Sequence, residues 1–260
     1  MDVGISTACL YPMETESAFQ ILYGLGCRTF ELFINCREEL EPGFLAPIRR
    51  LARRGEITVT SLHPYTSAFE SMLLFGDYPR RTKEGFSFYR EYLEAAASLG
   101  AGLVVLHGQR KGHGKLADEE YWERFGELYR LGESIGAVPA QENVREHKSS
   151  EPGFIAGMRR YLGDECAFTL DVKQCGMSGV PVEEMRQAMG PALRHVHLSD
   201  CATGKPCLLP GEGERDFSAL HQSLMGMGYR GKAVIEVYRD NFVEPKELQN
   251  ALKITKNLFK

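Results

Sequence analysis

Residues Gly102–Gln109 read GLVVLHGQ: four apolar side chains, then a histidine, then a glycine. A run this short, rich in Val and Leu and bounded by glycine, fits a strand covered on both faces better than a helix. A histidine ending such a strand needs a partner, because burying an unpaired polar ring is costly. The glycine after it lets the chain turn sharply away. The same grammar recurs along the chain. Strands are expected from Asp2 (DVGIS), Arg28 (RTFELF), Ile57 (ITVTSLH), Gly102 (GLVVLH), Ala137 (AVPAQEN), Ala167 (AFTLDV), Leu193 (LRHVHLS) and Lys232 (KAVIEVY). Helical periodicity fills the gaps, most clearly over Glu84–Leu99, Asp118–Ile135 and Pro245–Phe259. Acidic residues open the second of these helices, and Gly100 and Gly136 supply stops for the first two.

Strands alternating with helices imply a parallel sheet. Eight such units of roughly 32 residues are what a closed (β/α)8 TIM barrel requires. A doubly wound open sheet is the competing α/β arrangement, but neither a GxGxxG nor a P-loop follows any strand. No linker or low-complexity stretch divides the chain, so residues 1–260 read as one domain.

Composition narrows the function classes. Hydrophobic residues at 43% and charged residues at 25% are ordinary for a soluble protein. A formal net charge of −4 disfavours a nucleic-acid partner, which usually meets a basic face. Seven cysteines without a CxxC pair argue against a disulfide framework or a cysteine zinc site, and fit a reducing cytoplasm. The opening MDVGISTACLYP lacks the basic and apolar regions of a signal peptide. No window approaches the ~20 apolar residues of a membrane span. A cytoplasmic, non-membrane protein is expected. GxSxG, HExxH and EF-hand patterns are absent.

The strand ends carry the chemistry. His63 ends the third expected strand, His107 the fourth, Glu142 the fifth, Asp171 the sixth and Glu236 the eighth, with His197 near the end of the seventh. In a barrel these ends meet on one face, where barrel enzymes hold their active sites. Packed together without a cation, Glu142, Asp171 and Glu236 would repel one another. A divalent ion removes that repulsion. The mixed carboxylate and imidazole set suits manganese, zinc or cobalt, with magnesium also compatible. Glu31, deep within FELF, reads as a partner for an internal arginine or lysine. His195 shares a strand face with His197 but lies one layer deeper, as a structural or ligand-supporting group. Asp200, just past the strand, reads as orienting a ligand or a loop.

The pieces SLHPY, VVLHG, AQEN, LDV, HVHLSD, PGEGERDF and VIEV, in this order and spacing, resemble the xylose-isomerase-like TIM barrels. That superfamily includes sugar isomerases, sugar epimerases and the endonuclease IV group. The resemblance implies one divalent ion held by Glu142, Asp171, His197 and Glu236. It further implies that Glu142 and Glu236 exchange a proton at a carbon next to a carbonyl, through a metal-stabilised enediolate. His63 and His107 would hold a second ion or touch substrate. The chain departs from the nuclease pattern at Gln174, Lys205 and Cys207, where that pattern places ligands of a third zinc. It departs from the epimerases at Gln174 and at Thr203, where they often carry histidine and arginine. Gln174 and Lys205 are then substrate contacts of a different kind, and Lys205 is an alternative proton donor.

Further substrate-side candidates lie in the loops. Arg110, with Lys111, His113 and Lys115, reads either as a phosphate site or as a solvated loop. Arg145 and His147 follow Glu142. Arg80 and Arg81 end a loop, LFGDYPRR, which reads as a lid carrying an anion clamp or surface ion pairs. Trp122 reads as packing. The expected activity is a metal-dependent isomerase or epimerase acting on a sugar or sugar phosphate. The alternatives are an endonuclease IV-like phosphodiesterase, an inosose-dehydratase-like lyase, and a barrel that binds sugar without turning it over. Pairing into a homo-oligomer through exposed helices stays open.

Overall fold

Each short apolar run becomes a parallel strand because it is too brief to bury itself as a helix and has amphipathic helices on either side to cover it. The computed structural model describes residues 1–260. The barrel strands are β1 (Val3–Ser6), β2 (Thr29–Ile34), β3 (Thr58–Pro64), β4 (Leu103–Leu106), β5 (Val138–Glu142), β6 (Phe168–Asp171) and β7 (Leu193–Leu198). A small antiparallel hairpin follows, β8 (Asp200–Ala202) with β9 (Lys205–Leu208). The last barrel strand is β10 (Lys232–Ile235). Every barrel neighbour is parallel, and β1 pairs with β10, so the sheet closes on itself. The fold is the single-domain (β/α)8 barrel the sequence predicts.

Period-two alternation sorts the strand residues. Phe30 and Leu32 of β2 pack outward against the helices, with the Phe30 ring 4.7 Å from Phe19. Glu31 between them therefore faces the barrel interior. The register places Glu31 beside Ser61 and Asp171 beside His197. One face of each strand thus delivers its polar residue inward and the other builds the hydrophobic core.

The helices bring one revision. The helix after β3 spans Pro79–Leu99, starting five residues before the expected Glu84. Pro79 sits in its first turn, where a missing N–H costs nothing, so Arg80 and Arg81 belong to the helix and not to a lid. Asp118–Ile135 forms as predicted, with the Glu120 carboxylate accepting the Ala117 N–H. The last helix is Pro245–Leu258. No helix is long and apolar enough to cross a membrane. Trp122 packs on Phe154 and Tyr161, as its helical position suggested.

Candidate metal centre

His107 follows β4, and its glycine is required. Gly108 has φ +84°, and a Cβ there would lie 2.1 Å from the Tyr121 hydroxyl oxygen. The turn sends His107 toward β5, where its Nε2 lies 3.0 Å from Glu142 Oε2 and 3.2 Å from His63 Nε2. His63 Nε2 in turn is 3.9 Å from the same glutamate oxygen.

Asp171 is placed by two devices. It caps the helix Val172–Ser178, its Oδ1 accepting the N–H groups of Lys173 at 2.6 Å and Gln174 at 3.0 Å. Asn143, the residue after Glu142, accepts the Asp171 N–H and donates to the Asp171 carbonyl. Oδ2 is left buried without a hydrogen-bond partner. His197 is fixed from behind. Its Nε2 lies 3.0 Å from Glu31 Oε2, which also meets His195 Nε2 at 3.1 Å and accepts from Ser61 Oγ at 2.7 Å. Glu31 is therefore no partner of an arginine or lysine. The inward faces of β2 and β7 confront each other across the barrel, and imidazoles occupy the opposite side. His195 takes the expected supporting place one layer below His197.

The other nitrogen of His197 faces the centre. Nδ1 lies 3.1 Å from Glu236 Oε2, 3.7 Å from Glu142 Oε1 and 3.9 Å from Asp171 Oδ2. One ligand atom from each of these four residues falls within 4.8 Å of all the others. Glu142 Oε2, Asp171 Oδ2 and His197 Nδ1 are buried and lack an aligned hydrogen bond, although ion-pair distances surround them. The donors, three carboxylates and one imidazole, are of the kinds that hold a divalent cation; the 3.1 Å separation matches the roughly 3.0–3.4 Å that ~2.1 Å bonds impose, and the 3.7 and 3.9 Å separations are wider.

Electrostatics agree. Burial pushes the Asp171 carboxyl up to about 7, with the Lys173 ammonium opposing and Glu142 and Glu236 adding to the rise. Burial also works against Glu142, but His107 and His197 outweigh it and hold that carboxyl well below the ordinary range. For His197, burial favours the neutral ring, yet Glu31 and Glu236 carry it well above its usual value. His107, His197 and Lys173 supply the positive charge that faces these carboxylates.

The loop candidates are placed differently. Gln174 Oε1 accepts the Arg145 N–H at 2.9 Å, tying the loop after β5 to the helix after β6. Arg110 and Arg145 both pair with Glu146, so much of their charge is already answered. Lys205 stands exposed on the β8–β9 hairpin. Asp200 takes the loop-orienting role, accepting N–H groups from Cys201, Gly211, Gly213 and Arg215. At Gly213 an added Cβ would sit 2.5 Å from Asp200 Oδ1.

Sequence reasoning missed three contributors. Lys173, buried beside Asp171 and Glu236, looks in sequence like any lysine after a strand. Asn143 was signalled only by its place next to Glu142. An aromatic wall beside His63 was not foreseen: the Phe33 ring lies 5.3 Å from His63, with Tyr11 5.8 Å beyond. A cavity of about 440 Å³ opens there, lined by Tyr11, Met13, Phe33, Asn35 and Tyr65 among others.

These features define a class: a (β/α)8 barrel with a carboxylate and imidazole cluster at the carboxyl ends of its strands. The chain belongs to the xylose isomerase-like TIM barrel family, whose family profile matches residues 19–258. An uncharacterized protein of Mycobacterium bovis is 28% identical over 273 aligned positions, covering 96% of this chain and 93% of that one. The D-psicose 3-epimerase of Clostridium cellulolyticum H10 superposes with a TM-score of 0.80 over 100% of both chains, at 17% identity. The IOLI protein, solved with a bound zinc atom, superposes with a TM-score of 0.72 at 17% identity, covering 99% of this chain and 96% of that one.

Proposed function

We propose that this chain is a metal-dependent isomerase or epimerase of a sugar or sugar phosphate, working by proton transfer at a carbon next to a carbonyl. The observation that carries this reading is the convergence of Glu142, Asp171, His197 and Glu236 within 4.8 Å, with Asp171 Oδ2 and His197 Nδ1 buried there and without a hydrogen-bond partner. A divalent ion in this centre, manganese or zinc first by donor set and cobalt or magnesium also compatible, supplies Lewis-acid polarisation of a substrate oxygen.

The protein's part is proton traffic and positioning. Around the barrel the four strands run β5, β6, β7, β10, so Glu142 and Glu236 stand at the two ends of the tetrad. One removes a proton from the substrate carbon and the other returns it, which is the arrangement inversion at that carbon requires. His107 and His63 flank Glu142 and are placed to orient it or to touch substrate hydroxyls. The cavity lined by Phe33, whose ring packs against His63, is of a size that takes small molecules, commonly ~300–1,000 Å³. The epimerase named above, alike in fold, supports the sugar assignment, and the zinc in the IOLI structure supports a metal.

The test is hydrogen exchange. Metal-loaded protein is incubated in D2O with a panel of ketoses and ketose phosphates, and NMR follows deuterium entering the carbon next to the carbonyl. Exchange without net conversion still supports proton transfer. Loss of water marks the lyase. Tight binding without exchange marks a sugar-binding barrel and overturns the proposal.

One observation favours a second reading. Glu142 belongs to both groups, with Oε2 toward His63 and His107 and Oε1 toward His197. A carboxylate so placed can bridge two ions, as in a metal-dependent phosphodiesterase. Two bound ions per chain together with cleavage of an abasic-site duplex would select it.

A further inference from the structure

A cation already stands among the carboxylates. The Lys173 side chain is only 4% exposed, and its Nζ lies 3.2 Å from Glu236 Oε2 and 3.4 Å from Asp171 Oδ2. These are the same two oxygens that face His197 Nδ1. Asp171 has no other oxygen to offer, because Oδ1 is held by the N–H groups of Lys173 and Gln174. An ion in the tetrad and the ammonium therefore draw on one oxygen. Both Nζ separations exceed the ~2.7–2.9 Å of well-formed charged hydrogen bonds, so the ammonium bridges the pair loosely. Removing it with nothing in its place would leave these buried carboxylates short of a counter-charge, which is strongly unfavourable. The exit is marked. The Tyr238 ring centroid lies 4.6 Å from Nζ, and Tyr238 is half exposed. A lysine on a flexible four-carbon stem can slide along such a face while keeping a favourable contact.

We propose that Lys173 is the resident counter-ion of the metal-free centre, and that a divalent ion enters by exchange with its ammonium, which moves out along Tyr238 toward the barrel mouth. The inference rests on the metal reading above. The exchange keeps the carboxylates compensated throughout. It also delivers a positive group to the substrate side of Glu236 only once the ion is in.

The experiment reads the exposure of Lys173 directly. Wild-type protein is stripped with a chelator, then acetylated with an N-hydroxysuccinimide ester with or without saturating Mn2+ or Zn2+, and peptide mass spectrometry scores each lysine. Ion binding is measured separately by calorimetry. Labelling of Lys173 is expected to rise several-fold with the ion, while exposed Lys253 stays constant. Unchanged or reduced labelling in protein that binds the ion overturns the exchange and leaves the metal reading standing. No binding of either ion overturns the metal reading and the exchange with it. A variant adds a second readout: Lys173→Met should tighten the ion's Kd by about tenfold. It should also lower Tm in chelator and leave Tm of the loaded protein unchanged. Equal losses of Tm in both states with an unchanged Kd would make Lys173 a fixed structural partner and overturn the proposal.

Discussion

His197 has both ring nitrogens engaged. With Nε2 on Glu31, Nδ1 is the nitrogen that faces the centre, where a bound ion would take the place of the proton that Glu236 otherwise favours there. Glu31→Gln should therefore weaken Mn2+ or Zn2+ binding by roughly 10–100-fold while circular dichroism stays native. Wild-type affinity in that variant would detach Glu31 from the site. Glu142→Gln and Glu236→Gln should keep the fold, weaken ion binding and abolish exchange of substrate hydrogen. Full turnover in either would reject its role. His63→Ala should spare the principal ion, and loss of all bound metal on that change would contradict a single centre. The tetrad was legible because each member is a polar exception inside an apolar run. The partner of Glu31 was not, because β2 and β7 are not neighbours and meet only across the interior. Lys173 was hidden by its ordinary sequence context: nothing local tells a lysine that turns inward from one that points to water.

The exit of β4 shows how a whole element is held. Glu70 is fully buried, accepts from the Tyr89 hydroxyl and from the Gly108 N–H, and so pins the turn that aims His107. Burial pushes the Glu70 carboxyl up to about 7. A folded pKa above the unfolded one means that the native state binds the proton more tightly. The stability this group contributes is present below its unfolded pKa and is lost as pH rises through about 7. Glu70→Gln should remove that decline, gaining up to about 3 kcal/mol on the wild type between about pH 5 and about pH 8. Urea midpoints of the two proteins that run parallel across this range would disprove the assignment. Barrel strands were readable as apolar runs bounded by turn residues, and long helices by a periodicity that extends over many residues. The β8–β9 hairpin was not, since DCA and KPCL carry neither an apolar run nor an alternation that would mark a strand.

At the scale of the molecule, the centre ties β5, β6, β7 and β10 to one another through a single point. An ion bound only by the folded chain, at about 100 times its Kd, adds about 2.7 kcal/mol of stability. For a chain of this size that is a Tm rise of roughly 5–10 °C. Melts in chelator and in Mn2+, Zn2+, Co2+ or Mg2+ should show the rise for at least one ion, and Glu236→Gln should shrink it. No shift with any of them would remove the centre from the account. Barrel closure was legible from eight repeats of one unit, whereas the uneven sharing of labour around the ring was not. The four tetrad strands are consecutive neighbours, and β1 to β4 supply instead Glu31, Ser61, His63, His107 and the aromatic wall. A lineage built on this plan can alter what it accepts by editing the segments that leave the first four strands, without disturbing the carboxylate and imidazole cluster on the far side. Drift among descendants that take up new molecules should therefore gather on one semicircle of the rim.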